Sequence, residues 1–424
     1  MKKRLLFAAL FSAALVSCTK DQVVEVQQDE IKFNVVAANA TKAAAVYCSN
    51  NPITSFEVWS EYTSDATIQT PVWNKYFADE SVEYSNGSWS STNVRYWPNL
   101  SDGKESLRFY AVAGATKAVP GDPITYVEYD LQTGDAEWSG NGTAPVIKGF
   151  EPRSVVAQQE DLLFSVQQYK ERPTDGKAVL NFRHALSQIE FKAKNTSYAL
   201  YVNITGVSVG NIKGTGDFTL PTVSTSSNWT VHGTGAVVDD NSDQNNDGAQ
   251  HSTRGSWALS GNAEKVYTVS GLNVNINNTS DEAFSLSTST DDNSQVAEEV
   301  KNSMLLLPQN TEPVAPATAP TSYIAVKCTI WNKAVPDAAS VTTANEVKLY
   351  EGWAVVPVAF DWKPGKKYIY TFVFGNGNGG TEGGDGEDPV PGTDPVLVPI
   401  DYTVTIDDFD LIGSNDFEID MDQE

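Results

Sequence analysis

The sequence predicts an all-β protein built from β-sandwich domains, and three features indicate this. Short runs in which apolar and polar residues alternate with a period of two recur along the chain, which is typical of half-buried strands. Turns rich in Asn, Gly, Ser and Asp separate these runs, whereas long Leu/Ala/Glu/Lys stretches that would favour helices are missing. The chain is 40% hydrophobic and 10% aromatic, a composition that folds rather than staying disordered.

The strands can be assigned in order along the chain. Ile31, Phe33 and Val35 form the apolar face of a first strand. The Ser-Asn-Gly-Ser turn at residues 85–88 lies between two apolar runs and predicts a β-hairpin. Further candidate strands lie at residues 53–59, 107–112, 177–182, 188–193, 201–209, 303–307, 323–331, 355–360 and 367–374. Short strands with frequent turns favour sandwiches.

A change of pattern before residue 177 predicts a domain boundary. With 424 residues, the chain is long enough for two or three domains with sizeable cores. We divide it into a signal peptide (1–18), a tether with a removable first strand (19–42), an N-terminal sandwich (43–176), a C-terminal sandwich (177–374), a Gly/Asp/Pro linker (375–395) and a C-terminal strand (396–424).

The first 18 residues indicate an exported lipoprotein. Three basic residues at 2–4 precede an apolar run at 5–16 that is too short to span a bilayer, the pattern of a secretory signal. The run ends in Leu-Val-Ser-Cys, which resembles the lipobox of bacterial lipoproteins, so Cys18 is predicted to carry a lipid anchor. An ordinary signal peptide with an incidental Cys18 is the alternative. Several acyl chains would hold the protein durably at the outer membrane after export through the periplasm.

The charge of the chain excludes one class of partner. A formal net charge of −25 repels the phosphates of nucleic acids and of anionic lipids, so nucleic-acid binding is not expected.

After residue 18, no apolar run approaches the ~20 residues that a membrane-spanning helix needs. The mature chain is therefore expected to be tethered outside the cytoplasm.

The C-terminal segment carries the most informative pattern. Its Gly/Asp/Glu/Pro-rich part, residues 375–395, predicts a flexible acidic linker. Apolar residues then occupy every second position of the following strand, at Val396, Val398, Ile400, Tyr402, Val404 and Ile406. A single strand cannot bury its own apolar face, so it needs a groove in its own domain or in a neighbouring molecule.

Several motifs in this order resemble the fimbrillins, the structural proteins of type V pili on Gram-negative anaerobes. The motifs are residues 95–98 (Arg-Tyr-Trp-Pro), 107–112 (Leu-Arg-Phe-Tyr-Ala-Val), 179–187, 305–309, 362–370 and 402–409. The last one ends in Phe409, where many fimbrillins have Trp. The ordered set spans most of the chain.

The resemblance implies two transthyretin-like Greek-key sandwiches and a non-enzymatic pilin that assembles by protease-triggered donor-strand exchange. In that scheme an Arg- or Lys-specific protease removes the first strand, and the C-terminal strand of another subunit enters the vacated groove. Carried onto this sequence, the removable strand is residues 31–40, and the cut falls between Lys42 and Ala43; many relatives have Arg at the scissile position. The alternating residues of 396–406 would form the donor strand. The implied partners are other fimbrial subunits, the protease and the outer membrane, and the implied location is a cell-surface fimbrium that supports adhesion.

The sequence offers little for catalysis, and no cofactor is expected. Its three histidines, His184, His232 and His251, show no metal-ligand spacing, and nucleophile-elbow, P-loop and zinc-protease motifs are absent. We interpret His184 as structural. Residues 375–380 match a dinucleotide-binding glycine pattern, but an acidic linker follows where that site needs a helix.

One loop resembles half of a calcium site. Asp243, Asn245 and Asp247 supply oxygen atoms at alternate positions, but Arg254 stands where a Glu would complete the site. A solvated polar loop is the favoured interpretation, and calcium is a weak alternative. No other metal site is expected.

Two cysteines remain after Cys18, and two interpretations of them stay open. Cys48 and Cys328 could pair in an oxidising compartment. Cys328, however, shares one face of a predicted strand with Ile324 and Val326. We favour a buried small hydrophobe there.

Ten tryptophans raise a rival function, a monomeric surface lipoprotein that binds glycans. Trp59 and Trp353 lie in or beside apolar runs and are interpreted as core residues. The tryptophans of predicted loops, whose role stays open, are Trp73, Trp138, Trp229 and Trp257. Whether residues 396–406 leave their own domain distinguishes the two functions.

Overall fold

The structure, a computed structural model, describes residues 29–36, 53–100, 104–114, 142–221, 255–276, 283–286, 302–311, 322–332, 347–377 and 379–408. These residues form β-strands and one 3-10 helix at Val156–Gln158, which confirms the predicted all-β class. The strands are β1 Lys32–Val36, β2 Ser55–Thr63, β3 Asn74–Ser85, β4 Ser88–Ser91, β5 Ser106–Gly114, β6 Val146–Phe150, β7 Leu162–Tyr169, β8 Lys177–Asn181, β9 Arg183–His184, β10 Ser187–Asn195, β11 Leu200–Ile212, β12 Thr215–Thr219, β13 Ser256–Ser260, β14 Lys265–Ile276, β15 Phe284–Ser285, β16 Met304–Leu306, β17 Tyr323–Asn332, β18 Val347–Pro357, β19 Lys366–Phe374, β20 Thr381–Glu382 and β21 Ile400–Asp408. Over this part of the chain, no helix has the length and apolar character to span a membrane.

The first half of the chain is organised around a six-stranded antiparallel sheet with an apolar core on each face. Its strand order is β4-β3-β2-β5-β7-β9. Because alternate side chains of a strand point to opposite faces, Phe109 of β5 lies in one core and Tyr110 in the other. Burial on both faces explains why β5 is a near-continuous apolar run and not an alternating one.

Two smaller sheets cover the faces of this central sheet. One consists of β1 and β8, which pair in parallel and contribute Phe33 and Leu180 to the first core. The other has the order β13-β12-β6 and contributes Phe150 and Phe218 to the second core. β8 and β9 follow the predicted domain boundary at residue 177, yet they pair with β1 and β7 of the preceding segment.

The second half forms a sandwich of two sheets around the largest core. One sheet has the order β15-β10-β19-β21, with β16 also paired to β10. The other has the order β14-β11-β17-β18-β20. All pairings in both sheets are antiparallel except β10 with β19, which run parallel. The inward residues include Phe191 of β10, Val326 of β17 and Phe372 of β19.

The glycine-rich segment before β21 packs against the second sandwich, which differs from the flexible linker that its composition predicts. Residues 379–392, here called the strap, run over Tyr323 and Trp353 on the outer face of β17 and β18. The indole N–H of Trp353 donates to the carbonyl of Gly386 at 3.0 Å. A Cβ on Gly380 would stand 2.3 Å from the carbonyl oxygen of Val355. Glycine is therefore needed here for close backbone approach and not for flexibility.

Candidate assembly site

Strand β1, the predicted removable strand, and the residues just before it are bound through their backbone on two sides. On one side it runs parallel to β8 over its whole length. On the other side, the N–H of Ile31 donates to the carbonyl of Arg95 at 2.7 Å, and the N–H of Trp97 donates to the carbonyl of Asp29 at 2.9 Å. β1 therefore fills a slot between β8 and the segment that carries the Arg-Tyr-Trp-Pro motif.

The apolar face formed by β1 and by Ile31 just before it enters the first core, as its alternation predicts. Ile31, Phe33 and Val35 are 1%, 5% and 9% exposed. The Phe33 ring meets the rings of Phe56 and Phe109 edge-on, each at a centroid distance of 5.7 Å. Burial of each of these side chains stabilises the docked strand by about 1.5–3 kcal/mol.

The wall of the slot opposite β8 is held by a buried carboxylate. Glu80, on β3, accepts from Nη2 of Arg95 at 2.9 Å and from Nε at 3.1 Å. The same carboxylate accepts from the backbone N–H of Asn93. The indole N–H of Trp97 donates to the carbonyl of Gly176 at 2.9 Å, next to the start of β8. These contacts fix the segment whose carbonyl receives the N–H of Ile31.

Tyr169, at the end of β7, connects the central six-stranded sheet to β8. Its hydroxyl accepts from the N–H of Val179 at 2.6 Å and donates to the carbonyl of the same residue at 3.2 Å. Burial raises the pKa of Tyr169 to about 12, so the hydroxyl keeps its proton at neutral pH. The ring packs edge-on against Trp97 and Phe109. The slot is therefore lined with aromatic rings and braced by polar contacts.

The predicted donor strand is divided between a buried and an exposed half. Regular strand structure begins at Ile400, where β21 pairs antiparallel with β19. Val396, Val398 and Ile400 are 2–3% exposed and lie in the core of the second sandwich. Tyr402 packs partly against that core.

The outer half of β21 has no comparable cover. Val404 and Ile406 are 46% and 58% exposed. β21 is the last strand in its sheet among the described residues, so its second edge presents unpaired backbone groups. Exposed apolar residues on an edge strand are typical of a surface that pairs with another chain.

Several predicted residues lie outside the described part of the chain, and their roles remain predictions. They are the lipidation residue Cys18, the cleavage residues Lys42 and Ala43, the calcium candidates Asp243, Asn245 and Asp247, and Cys48, Trp138, Trp229, His232 and His251. Within the described ranges, no group of three or more His, Cys, Asp or Glu residues could hold a metal ion.

Two further predicted residues, Cys328 and His184, lie on strands of the described part of the chain. Cys328 is a buried free thiol on β17, and burial raises its pKa. Nδ1 of His184 lies 2.6 Å from Oδ2 of Asp161, which is fully buried. These placements agree with structural roles for Cys328 and His184.

Four of the six tryptophans named from the sequence lie in the described part of the chain. Trp59 and Trp353 are buried core residues, as their apolar surroundings predict. Trp73, assigned to a loop, is only 7% exposed. Trp257 lies on β13, and its indole N–H donates to the carbonyl of Ala185 at 2.8 Å. Trp59, Trp73 and Trp353 therefore present no open stacking face, and Trp257 is half-buried with its ring against Phe150 and Phe218.

A buried ion pair in the central sheet was not predicted from the sequence. Nη1 of Arg108 on β5 lies 2.9 Å from Oε1 of Glu61 on β2, and the Tyr110 hydroxyl donates to the same oxygen at 3.0 Å. The guanidinium stacks 3.9 Å from the centre of the Trp73 ring. The N–H of Gly142 donates to Oε2 of Glu61 at 3.0 Å, and burial raises the pKa of this carboxyl group. The sequence carries one signal of this pair: Glu61 and Arg108 are charged residues within two strands rich in apolar residues.

The sequence model of a family described as Fimbrillin-like matches residues 27–386. No curated protein matches the chain. Similar solved structures include a candidate cell adhesion protein from Bacteroides uniformis, with 11% identity, coverage of 90% of this chain and 98% of that one, and a TM-score of 0.38. A candidate cell adhesion protein from Bacteroides eggerthii shows 13% identity, coverage of 90% and 96%, and a TM-score of 0.39.

A third similar structure is the tip fimbrial protein Mfa3 from Porphyromonas gingivalis, solved with a C-terminal truncation. It shows 9% identity, coverage of 89% of this chain and 99% of that one, and a TM-score of 0.32. The family match begins just before β1 and ends within the strap, so it includes the slot and stops short of β21. Because that match covers most of the sequence, the chain belongs to the Fimbrillin-like family.

Proposed function

We propose that this chain is a structural subunit of a cell-surface fimbria, that it assembles by strand exchange, and that it supports adhesion. Membership of the Fimbrillin-like family supports the fimbrial role. One observation carries the exchange mechanism: residues 31–35 bury three apolar side chains at alternate positions. β21 continues the same spacing with the half-buried Tyr402 and the exposed Val404 and Ile406.

The exchange would begin with proteolysis. The chain is exported as a lipoprotein acylated at Cys18, and an Arg- or Lys-specific protease cuts between Lys42 and Ala43 at the cell surface. Loss of β1 opens the slot beside β8 and exposes the rings of Phe56 and Phe109. An open slot of this kind strongly favours a replacement strand, because apolar surface and unpaired backbone groups are then both exposed to water.

The C-terminal strand of a second subunit would fill the slot. Its buried half, residues 396–400, can remain in its own core. Residues 402–406 pair with β19 within the subunit, and in the exchange they leave β19 and enter the neighbour with the chain beyond them. Such a contact is head-to-tail and does not close on itself, so it produces a filament. The backbone ladder gives the contact strength along the fibre, and the alternating side chains give it register.

The test uses protein that begins at residue 19, digested briefly with a Lys/Arg-specific protease and run unboiled on a denaturing gel. We expect a ladder of multimers in which the new N-terminus is Ala43. A matched variant that lacks residues 396–424 should be cut at the same bond and give no ladder. A cleaved product that stays monomeric would contradict strand exchange and favour the rival function of a monomeric glycan-binding lipoprotein.

A further inference from the structure

The outer face of the β14-β11-β17-β18 sheet is divided into a covered and an open half. The strap covers the half that carries Tyr323 and Trp353. Lys327 marks the border, because its ammonium group donates to the strap carbonyls of Asp385 and Gly386 at 3.0 and 2.7 Å. Beyond Lys327 the outward residues are half-buried or exposed.

Strand register arranges these outward residues in two rows across the sheet. In the outer row, Tyr201 of β11 stands opposite Trp331 of β17, which stands opposite Lys348 of β18. The next row runs from β14 to β18 through Asn275, Asn203, Thr329 and Glu351. We call these seven residues, together with Asn273 of β14, the platform.

The aromatic part of the platform is a paired surface. The rings of Tyr201 and Trp331 lie 5.3 Å apart between centroids with their planes tilted by 47°. Their mutual contact fixes both rings without burying either completely. Aromatic faces are electron-rich, so they attract the weakly positive C–H groups of a ligand.

The amide part of the platform is held by its own hydrogen bonds. The Tyr201 hydroxyl donates to Oδ1 of Asn275 at 2.7 Å. Nδ2 of Asn203 donates to Oδ1 of Asn275 at 2.8 Å and to Oδ1 of Asn273 at 3.0 Å. With these oxygens engaged, the exposed Asn273 and Asn275 carry their N–H donors on the opposite arm of each amide. The donors are thus fixed in place beside the aromatic pair.

The charge of the platform is balanced. Lys348 forms an ion pair with Glu351 within β18, and the other platform residues are uncharged. A phosphate, sulfate or carboxylate ligand would find no unpaired cation here and would meet a chain of net charge −25. A ligand with a flat C–H surface and uncharged hydroxyl groups fits better.

We propose that the platform binds a neutral carbohydrate. A pyranose ring pairs an apolar C–H face, which would stack on Trp331 and Tyr201, with peripheral hydroxyl groups, which would bond to Asn203, Asn273, Asn275 and Thr329. The preformed network limits the ordering cost of binding. This site extends the adhesive role proposed above and does not depend on strand exchange, because it lies on the outer face of a sheet that contains neither β1 nor β21.

The experiment is a screen of the purified, uncut protein against an array of neutral oligosaccharides terminating in glucose, galactose, mannose or N-acetylhexosamine, with sialylated and sulfated oligosaccharides alongside. The best neutral oligosaccharide is then titrated by calorimetry. We expect Trp331→Ala and Tyr201→Ala each to weaken binding at least about tenfold. The matched control is Tyr84→Ala, which removes an exposed aromatic side chain of the first half and should leave affinity unchanged.

Far-ultraviolet circular dichroism and thermal unfolding establish that each variant is folded, and Asn203→Ala provides a second, smaller substitution on the platform. The proposal is overturned if no neutral oligosaccharide binds, if only charged ones bind, or if binding survives all three platform substitutions. Filament formation by the same preparations is measured separately, so a failure of sugar binding and a failure of assembly are distinguishable.

Discussion

The ring of Phe33 in β1 meets the ring of Phe109 in β5 edge-on, with centroids 5.7 Å apart and planes at 83°. Phe56 of β2 makes the same type of contact at 5.7 Å. Phe33 thereby joins the strand proposed to leave on cleavage to the middle of the six-stranded sheet. Among the buried side chains of Ile31, Phe33 and Val35, that of Phe33 contributes the largest apolar surface.

Replacement of Phe33 should therefore loosen β1 before any cut is made. We expect Phe33→Ala to lower the free energy of unfolding by ~3–5 kcal/mol, because a buried ring is lost and a cavity remains between Phe56 and Phe109. Urea denaturation of the uncut chain measures this loss. The control is Lys32→Ala on the exposed face of the same strand, with an expected change within ~0.5 kcal/mol. Equal effects of the two substitutions would contradict the proposed packing.

The division of the C-terminal strand predicts opposite outcomes for two aspartate substitutions. Val398→Asp should destabilise the monomer by several kcal/mol, because an unpaired carboxylate would be buried in the second core. Ile406→Asp should leave monomer stability within ~0.5 kcal/mol, since this side chain is 58% exposed, but should abolish the multimer ladder. Urea denaturation measures the stability of each monomer, and unboiled gels show whether the multimer ladder forms. Normal polymerisation of Ile406→Asp would exclude this residue from the intersubunit contact.

Period-two alternation predicted the inward faces well, because in a strand it determines directly which side chains share a face. Ile31, Phe33 and Val35 are all buried, and Val396, Val398 and Ile400 follow the same pattern. The alternation continues unchanged through Val404 and Ile406, which are exposed. Alternation shows only that one face of a strand is apolar. Whether another part of the protein covers that face depends on tertiary contacts that the local sequence does not encode.

Pairing between distant segments was not predictable for the same reason. The parallel alignment of β1 with β8 and the register that places Tyr201 opposite Trp331 are both long-range. The strap illustrates a different limit. Glycine-rich composition is typical of flexible linkers and also of backbone packed closely on a sheet, and only the contacts of Gly380 with Val355 distinguish the two.

The strap can be tested with a matched pair of glycine substitutions. Gly380→Ala would place a Cβ 2.3 Å from a sheet carbonyl, so the strap must shift, and we expect a loss of ~1–3 kcal/mol. Gly384→Ala has nothing within 4 Å and incurs only the cost of a positive φ of +76°, about 1–2 kcal/mol. Hydrogen exchange of the Gly383 amide, which donates to the carbonyl of Trp353, should accelerate more in Gly380→Ala. Equal rates in both variants would contradict close packing of Gly380.

The buried pair of Glu61 and Arg108 predicts a pH dependence of stability. Burial raises the pKa of Glu61 above its usual value of 4.5, and the opposing influence of the Arg108 charge is smaller. A raised pKa in the folded state means that the native protein binds this proton more tightly than the unfolded chain does. The contribution of Glu61 is therefore fully present below the unfolded pKa and is lost as the pH rises through the folded pKa.

Glu61→Gln isolates this contribution, because glutamine is uncharged at every pH. We expect the free energy of unfolding of the wild-type protein, relative to that of Glu61→Gln, to decrease as the pH is raised from about 4 to 7. Urea denaturation of both proteins at each pH gives the difference directly. Asp217→Asn is the control. Burial of this half-buried carboxylate raises its pKa, but the hydrogen bonds from Lys148 and from the N–H of Gly149, with the charge of Lys148, outweigh burial and lower the pKa overall. The stabilising contribution of Asp217 is therefore present at pH 7 and is lost as the pH falls through its folded pKa. A wild-type advantage over Glu61→Gln that grows towards pH 7 would mean that attraction to Arg108 outweighs the cost of burying the carboxylate.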